Sequence, residues 1–347
     1  MSAARQTQAA RQTQATQQTQ ATQQTQATQQ TLQTPFAVRR ARVQGVDRVS
    51  PTFVRVTFGG DALREVGNPG RTLDQRIKLI FPSASGGLPA LADEAEWYAA
   101  WLAIPEDARG SMRTYSIRDL LVAEDGETSL VVDFVLHLEA GATGPASLWA
   151  SRAAVGDELL VVAPRRGRLD GGGIEFEPGG AGTVLLAGDE TAAPAIARIL
   201  EELPADARGV AFIEVPVPAD RLDVAAPAGI ELRWLPRGEA LHGTALIPAV
   251  LAYLDERAQV SAEDIAPEEH GGGAGAEQLL WETPQYSGLG EALEVEADPD
   301  HHERYFWIAG ESGVVTTLRR HLVRELGIAR SQVAFMGYWR RGVAMKG

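Results

Sequence analysis

The sequence predicts two structural units in series, an antiparallel β barrel and then a doubly wound α/β domain on a parallel sheet. Three observations carry this. From about residue 38 to residue 163, short apolar-alternating runs are separated by Gly, Pro and Asp breakers, as in strands joined by turns. After residue 183, apolar runs of strand length alternate with helix-length amphipathic segments, the order that yields parallel strands with crossover helices. Between the two, residues 164–182 are rich in Gly and Arg and read as a linker.

The elements follow in order. The first 34 residues are Gln, Thr and Ala in a near-repeat. They offer almost no apolar surface to offset ordering entropy, so a disordered tail with no part in catalysis is expected. Residues 35–165 form the barrel, with strands expected at 39–47, 53–58, 75–81, 113–121, 129–137 and 157–163. One helix opens at Gly144, Pro145, Ala146 and Ser147, where proline suits a first turn that needs no N–H. Six short strands and one helix suit a small antiparallel barrel. The linker proper spans 166–182.

In the second unit, residues 183–347, strands are expected at 183–187, 209–215, 229–235, 304–309 and 332–338. Helices are expected at 191–203, 243–257 and 312–326. Ligands of such sheets bind beyond the carboxyl ends of the strands, where Gly188 and Gly310 stand. Residues 258–303 break the alternation and read as a long mobile insertion. Its patch Leu279, Leu280, Trp281 is expected to dock back onto the domain.

Composition narrows the chemistry. There is no cysteine, which excludes disulfides, thiolate metal sites and protein-borne iron–sulfur clusters. No apolar run reaches membrane-spanning length and no charged-then-apolar leader opens the chain, so a cytoplasmic monomer without an integral membrane segment is expected. Net charge is −14, and the only charges in the first 34 residues are Arg5 and Arg11, so the body is more acidic still. Nucleic acid is therefore a poor partner, and an anionic ligand needs a local cluster of Arg and Lys. His301 and His302, adjacent in an acidic loop, make a weak case for a metal site.

Two constellations carry chemistry. Arg113-Thr114-Tyr115-Ser116 spells R-x-Y-S, a signature of flavin-binding barrels. Period two puts Arg113 and Tyr115 on one strand face, where a guanidinium can pair with phosphate and a phenol ring can stack on a flat cofactor. Thr114 and Ser116 turn the other way, so the Ser116 N–H counts as much as its hydroxyl. A helix start at Gly144, Pro145, Ala146 and Ser147 offers free N–H groups to a pyrophosphate, which implies FAD rather than FMN. His137, ending the strand between, is either a cofactor contact or merely solvated. In the second half, Gly188 permits close backbone approach, and Thr191 can cap a helix or meet a phosphate. Asp189 and Glu190 make a poor pyrophosphate cradle, and the pattern is not G-x-G-x-x-G.

These blocks match a family. RTYSIRD (113–119), VDFVLH (132–137), GPASLWA (144–150), GDELLVVAP, LAGDETAAPAIARILEELP (186–204), AGES (309–312) and VAFMGYWRRG (333–342) stand in the order seen in siderophore-interacting proteins. The chain resembles these flavin-dependent ferric-siderophore reductases, relatives of the ferredoxin reductases, over roughly residues 36–347. The resemblance implies an FAD-binding barrel, an α/β domain binding NADH or NADPH, and a ferric siderophore as substrate. It assigns Arg113, Thr114, Tyr115, Ser116, His137, Gly144, Pro145, Ala146 and Ser147 to the flavin. Gly188, Asp189, Glu190, Thr191, Gly310 and Glu311 fall to the nucleotide. It also sets Trp339 and Arg340 beside the flavin ring, with Trp339 open to a pure packing role, and Lys78 in the substrate pocket with Arg76 on the same strand face. The alternatives are a flavin or ferredoxin-type reductase with another acceptor, and a siderophore-binding module without turnover. NADH against NADPH stays open: Arg221 suits a 2′-phosphate, whereas Asp220 and Asp223 beside it would repel one.

Overall fold

The structure is a computed structural model that describes residues 34–92, 96–137, 143–254, 279–283, 286–287 and 304–342. The Gln/Thr tail up to residue 33, most of the segment 258–303 and the His301–His302 pair lie outside the described residues.

The first sheet has seven strands: β1 (Phe36–Arg48), β2 (Phe53–Gly59), β3 (Arg76–Phe81), β4 (Ser111–Ser116), β5 (Asp119–Val122), β6 (Thr128–Val135) and β7 (Glu158–Pro164). Their order is β4-β3-β7-β1-β2-β6-β5, and neighbours run antiparallel. The single strand expected over 113–121 is therefore two, at opposite edges of the sheet. The reason is a change of partner. Ile117 N–H donates to Gln75 O on the β3 side, and the next residue, Arg118, donates to Val131 O on β6. That step curls the sheet into a half barrel. Alternate residues Phe58, Leu79, Phe134 and Val161 fill its interior. Helix α2 (Pro145–Ala150) adds Trp149, whose ring lies 5.3 Å from Phe81 and 5.7 Å from Phe134.

Helix α1 (Trp97–Ala103) was not anticipated. It starts without a side-chain cap and spans seven residues, too few for helical periodicity to stand out. Its Trp101 is buried on the outer barrel face against Val38, Ile80, Met112, Leu160 and Val162.

The second sheet is β8 (Thr183–Gly188), β9 (Arg208–Val215), β10 (Gly229–Pro236), the hairpin β11 (Trp281–Thr283) and β12 (Tyr286–Ser287), β13 (Arg304–Glu311) and β14 (Val333–Trp339). The order is β10-β9-β8-β13-β14-β11-β12. The first five are parallel, as expected, while β11 joins β14 antiparallel and makes the sheet mixed. Helices α3 (Ala193–Glu202), α4 (Leu246–Leu254) and α5 (Ser312–Arg319) supply the covering layers. α5 continues as a wider π-type turn over Arg320–Glu325. Both faces are buried: Leu186, Ile213, Trp307 and Met336 enter one core, while Leu185, Phe212, Phe306 and Phe335 enter the other. This explains why the strands read as continuous apolar runs.

The patch before β11 docks as expected. Leu280 O accepts Gly337 N–H at 2.7 Å, and Glu282 pairs with the buried Arg319. The stretch 165–182 has no regular element, yet it fastens the two sheets together. Buried Asp74, just before β3, accepts N–H groups of Glu175 and Phe176 and the indole N–H of Trp307 on β13. Asp220 accepts from Ser50 and twice from Thr52 of the barrel, each at 2.7–2.8 Å.

Candidate functional site

The register of β3 with β4 sets out the barrel side. Leu79 pairs with Arg113 and Ile77 with Tyr115, whereas Lys78 pairs with Thr114 and Arg76 with Ser116. Paired residues share a face, so Arg113 and Tyr115 lie on the interior side and Lys78, Thr114, Arg76 and Ser116 on the other. Tyr115 packs against Phe134 with ring centroids 4.6 Å apart, and burial pushes its phenol well above the ordinary range. Arg113 is half-buried and donates to Met112 O at 2.6 Å. Burial lowers its pKa, and no carboxylate among the described residues pairs with it. A desolvated cation without a counter-charge is costly, so this position suits an anionic group.

The helix start beside it is tied to the strand end. Ser147 Oγ donates to Val135 O at 3.0 Å and accepts from His137 N–H at 3.4 Å, and Gly144 precedes the helix without a side-chain cap. Pro145 holds the first turn, and Ala146 is buried in the barrel core.

On the opposite strand face Lys78 Nζ donates to Thr114 Oγ1 at 2.7 Å. Burial first, then the nearby Arg76 charge, lowers the lysine pKa. Arg76 itself pairs with Glu175 and lies 4.1 Å over the ring of Trp281. Its charge is engaged in holding the 174–177 stretch and the returning hairpin, which leaves Lys78 as the cation of this strand with no acid paired to it. Arg340 follows β14, half-buried.

On the α/β side the turn after β8 is a hydrogen-bonded hub. Asp189 accepts from Thr191 N–H at 2.9 Å, Thr191 Oγ1 at 2.5 Å, Glu311 N–H at 2.7 Å and Trp339 Nε1 at 2.9 Å. Gly310, with φ of 136°, passes so close that an added Cβ would lie 2.7 Å from the Asp189 carboxyl. At Gly188 a Cβ would meet Ala309 O at 2.7 Å. Glu190 is fully buried and receives Arg237 twice, at 2.6 and 2.7 Å, with His242 Nε2 at 2.9 Å. Burial alone would raise its pKa, but these two partners hold it down to about 2. Glu311 caps α5 through Gly313 N–H at 2.7 Å and Val314 N–H at 3.0 Å.

The carboxylates of Asp189, Glu190 and Glu311 are therefore occupied by donors within the chain, and the Thr191 hydroxyl is spent as one of them, on Asp189. At this edge Gly188 and Gly310 are packed closely against Ala309 and Asp189 of the chain itself. Trp339 stands where the two halves meet, its ring 5.9 Å from His137 of the barrel and 4.7 Å from His242 of the α/β unit.

Arg237 and His242 escaped the sequence reading, because they lie 47 and 52 positions from Glu190. The available signal was their place just beyond the carboxyl end of β10. Asp220 also changes meaning: its carboxylate is buried against the barrel, so of the two acids flanking the exposed Arg221 only Asp223 faces solvent. Among the described residues no cluster of His, Asp or Glu could hold a metal ion. The arrangement combines an unpaired half-buried cation, aromatic faces and a tight glycine edge, suited to a large flat anionic cofactor.

Comparison with known proteins agrees. Residues 42–168 match the siderophore-interacting FAD-binding domain, and residues 181–342 match the siderophore-interacting protein family. The ferric vibriobactin reductase ViuB of Vibrio cholerae is 29% identical over 296 residues, covering 85% of this chain and 86% of its own. The NADPH-dependent ferric-chelate reductase of Escherichia coli is 30% identical over 232 residues, 65% of this chain and 78% of its own. The crystal structure of a siderophore utilization protein from T. fusca superposes with a TM-score of 0.61 at 27% identity, covering 90% of this chain and 96% of that one.

Proposed function

Because the chain belongs to the siderophore-interacting protein family, we propose that it is an oxidoreductase that reduces ferric siderophores with electrons from NAD(P)H, carried through FAD. The observation that carries the reading is Arg113, a half-buried arginine without a carboxylate partner beside the stacked Tyr115, within the stretch that matches an FAD-binding domain. The named activities of the Vibrio and Escherichia relatives supply the acceptor class, and the latter a precedent for NADPH.

FAD, when bound, supplies the passage from a two-electron hydride donor to a one-electron iron(III) acceptor. The chain's own residues bind and orient. Arg113 balances a flavin phosphate, and Tyr115 offers a ring already fixed against Phe134. The glycines at 188 and 310 let the chain pack tightly on itself at the ends of β8 and β13, beyond which a dinucleotide would bind. Trp339, fixed by Asp189, excludes water where the two halves meet. Lys78 attracts an anionic ferric chelate against the field of a protein of net charge −14, helped by Arg340. No helix among the described residues is long and apolar enough to cross a membrane.

The test is anaerobic. Purified protein should be yellow, bleach on addition of NADPH or NADH, and recover its colour when ferric siderophore is added. Bleaching without recovery by any ferric siderophore, but with recovery by ferredoxin or a free flavin, would favour the reading as another reductase. Lys78→Ala should raise KM for an anionic ferric chelate several-fold while leaving the bleaching rate unchanged. Added salt should weaken the wild type more than the variant, since screening acts on the interaction already removed.

A further inference from the structure

Two adjacent carboxylates converge on one indole. Asp189 accepts the Trp339 N–H directly, at 2.9 Å. Glu190 reaches the same ring through His242: Nε2 lies 2.9 Å from Glu190 Oε1, and the imidazole stands edge-to-face with Trp339, centroids 4.7 Å apart and planes at 79°. Arg237 clamps Glu190 from the other side, so the carboxylate that orients the imidazole cannot swing away. We propose that His242 is a positioning residue for Trp339, holding the indole in the cleft between the barrel and the α/β sheet. The inference concerns the ring's placement and stands whatever acceptor the protein serves.

The charges around His242 make the grip depend on its proton. Glu190 and Asp189 face it from the turn after β8, and Arg237 from the turn after β10, with Glu214 of β9 3.8 Å behind Arg237. Trp339 comes from β14, and the barrel's His137 meets that indole at 5.9 Å. Burial would lower the His242 pKa, but the Glu190 hydrogen bond and the two carboxylate charges outweigh burial and Arg237 and raise it. A raised pKa means that the charge-assisted bond to Glu190 is complete below the ordinary histidine range. It weakens as pH climbs through the raised value. Burial and the neighbouring Glu190 charge also raise the Asp189 pKa, so once Asp189 is ionised Trp339 should be held more firmly below the His242 transition than above it.

Solvent exchange of the Trp339 indole N–H reads this directly, by nitrogen-15 NMR of the full chain as purified, with the signal assigned from Trp339→Phe. Trp307 is the internal control, because its indole is bonded to buried Asp74 at 2.9 Å on the same sheet, away from His242. His242→Gln should lower Trp339 protection about tenfold at neutral pH, as expected for loss of a charge-assisted bond. Trp307 protection should stay unchanged. In the wild type, with Asp189 ionised, Trp339 protection relative to free indole should fall as pH rises through the His242 transition, and the variant should lack that fall. Equal losses at both indoles would make His242 a general structural residue and overturn the proposal. Unchanged Trp339 protection in the variant, or a flat wild-type profile, would do the same. None of these readings needs nicotinamide or chelate, so their failure is distinct from failure of the proposed activity.

Discussion

Arg113 and Arg76 lie on neighbouring strands of one sheet, yet their surroundings separate them. Arg76 has Glu175 and the Trp281 ring, while Arg113 has a backbone carbonyl and no acid. Arg113→Ala should weaken FAD retention by about 1.5–3 kcal/mol, the loss expected for a hydrogen bond to a charged group. Equilibrium titration of apoprotein with FAD measures it, and unchanged affinity would remove Arg113 from the flavin site. The faces of Arg113, Tyr115 and Lys78 were legible in the sequence, because strand alternation depends only on neighbours along the chain. The occupation of Arg76 was not, since Glu175 lies 99 positions away and Trp281 far beyond it. The same holds for Asp189 and Glu190. Their motif was readable as chemistry near a strand end, but their donors Trp339, Arg237 and His242 come from β14 and from the loop after β10.

Asp74 acts at the scale of elements, tying the 175–176 backbone and β13 to the start of β3. Burial raises its pKa from 3.8 to about 6, even though Trp307 and the two backbone amides favour the charged form. With the folded pKa above the unfolded one, the native state binds the extra proton between them, so stability falls as pH rises across that window. A shift of this size corresponds to roughly 3 kcal/mol. Asp74→Asn cannot ionise, so the variant should lack this slope: its unfolding free energy relative to wild type should rise by about that amount from about pH 4 to pH 7. Denaturant titrations across that range check it, and a difference independent of pH would refute the assignment. Element boundaries failed in the sequence reading where tertiary partners decide them. The expected strand 113–121 divides because its residues change hydrogen-bonding neighbours at Ile117 and Arg118. α1 exists because Trp101 has a waiting apolar face to cover.

For the whole molecule, the barrel and the α/β sheet share a seam rather than a flexible tether. Phe53 and Val135 of the barrel belong to the same buried cluster as Leu186 and Trp307. Arg118 pairs with Glu201 at 2.6 and 2.7 Å, and Glu202 accepts the amides of Thr72 and Leu73. The two units should therefore unfold together, with loss of flavin and loss of secondary structure on one curve. Asp220→Ala strands the buried Ser50 hydroxyl and the half-buried Thr52 donors and should cost about 3 kcal/mol. Separation of those two curves in the variant would show that Asp220 also couples the units, whereas separate curves in the wild type would refute a shared seam. The sequence by itself determined the class of each sheet, the order of the family's blocks and the faces on which Arg113, Tyr115 and Lys78 lie. Those features rest on periodicity and local motif, which act over a few residues. Only the tertiary structure decided which charges stay unpaired, that the returning hairpin completes the sheet, and that Trp339 stands between two histidines. Each of these is a meeting of segments far apart in the chain, and local pattern carries no record of such distances.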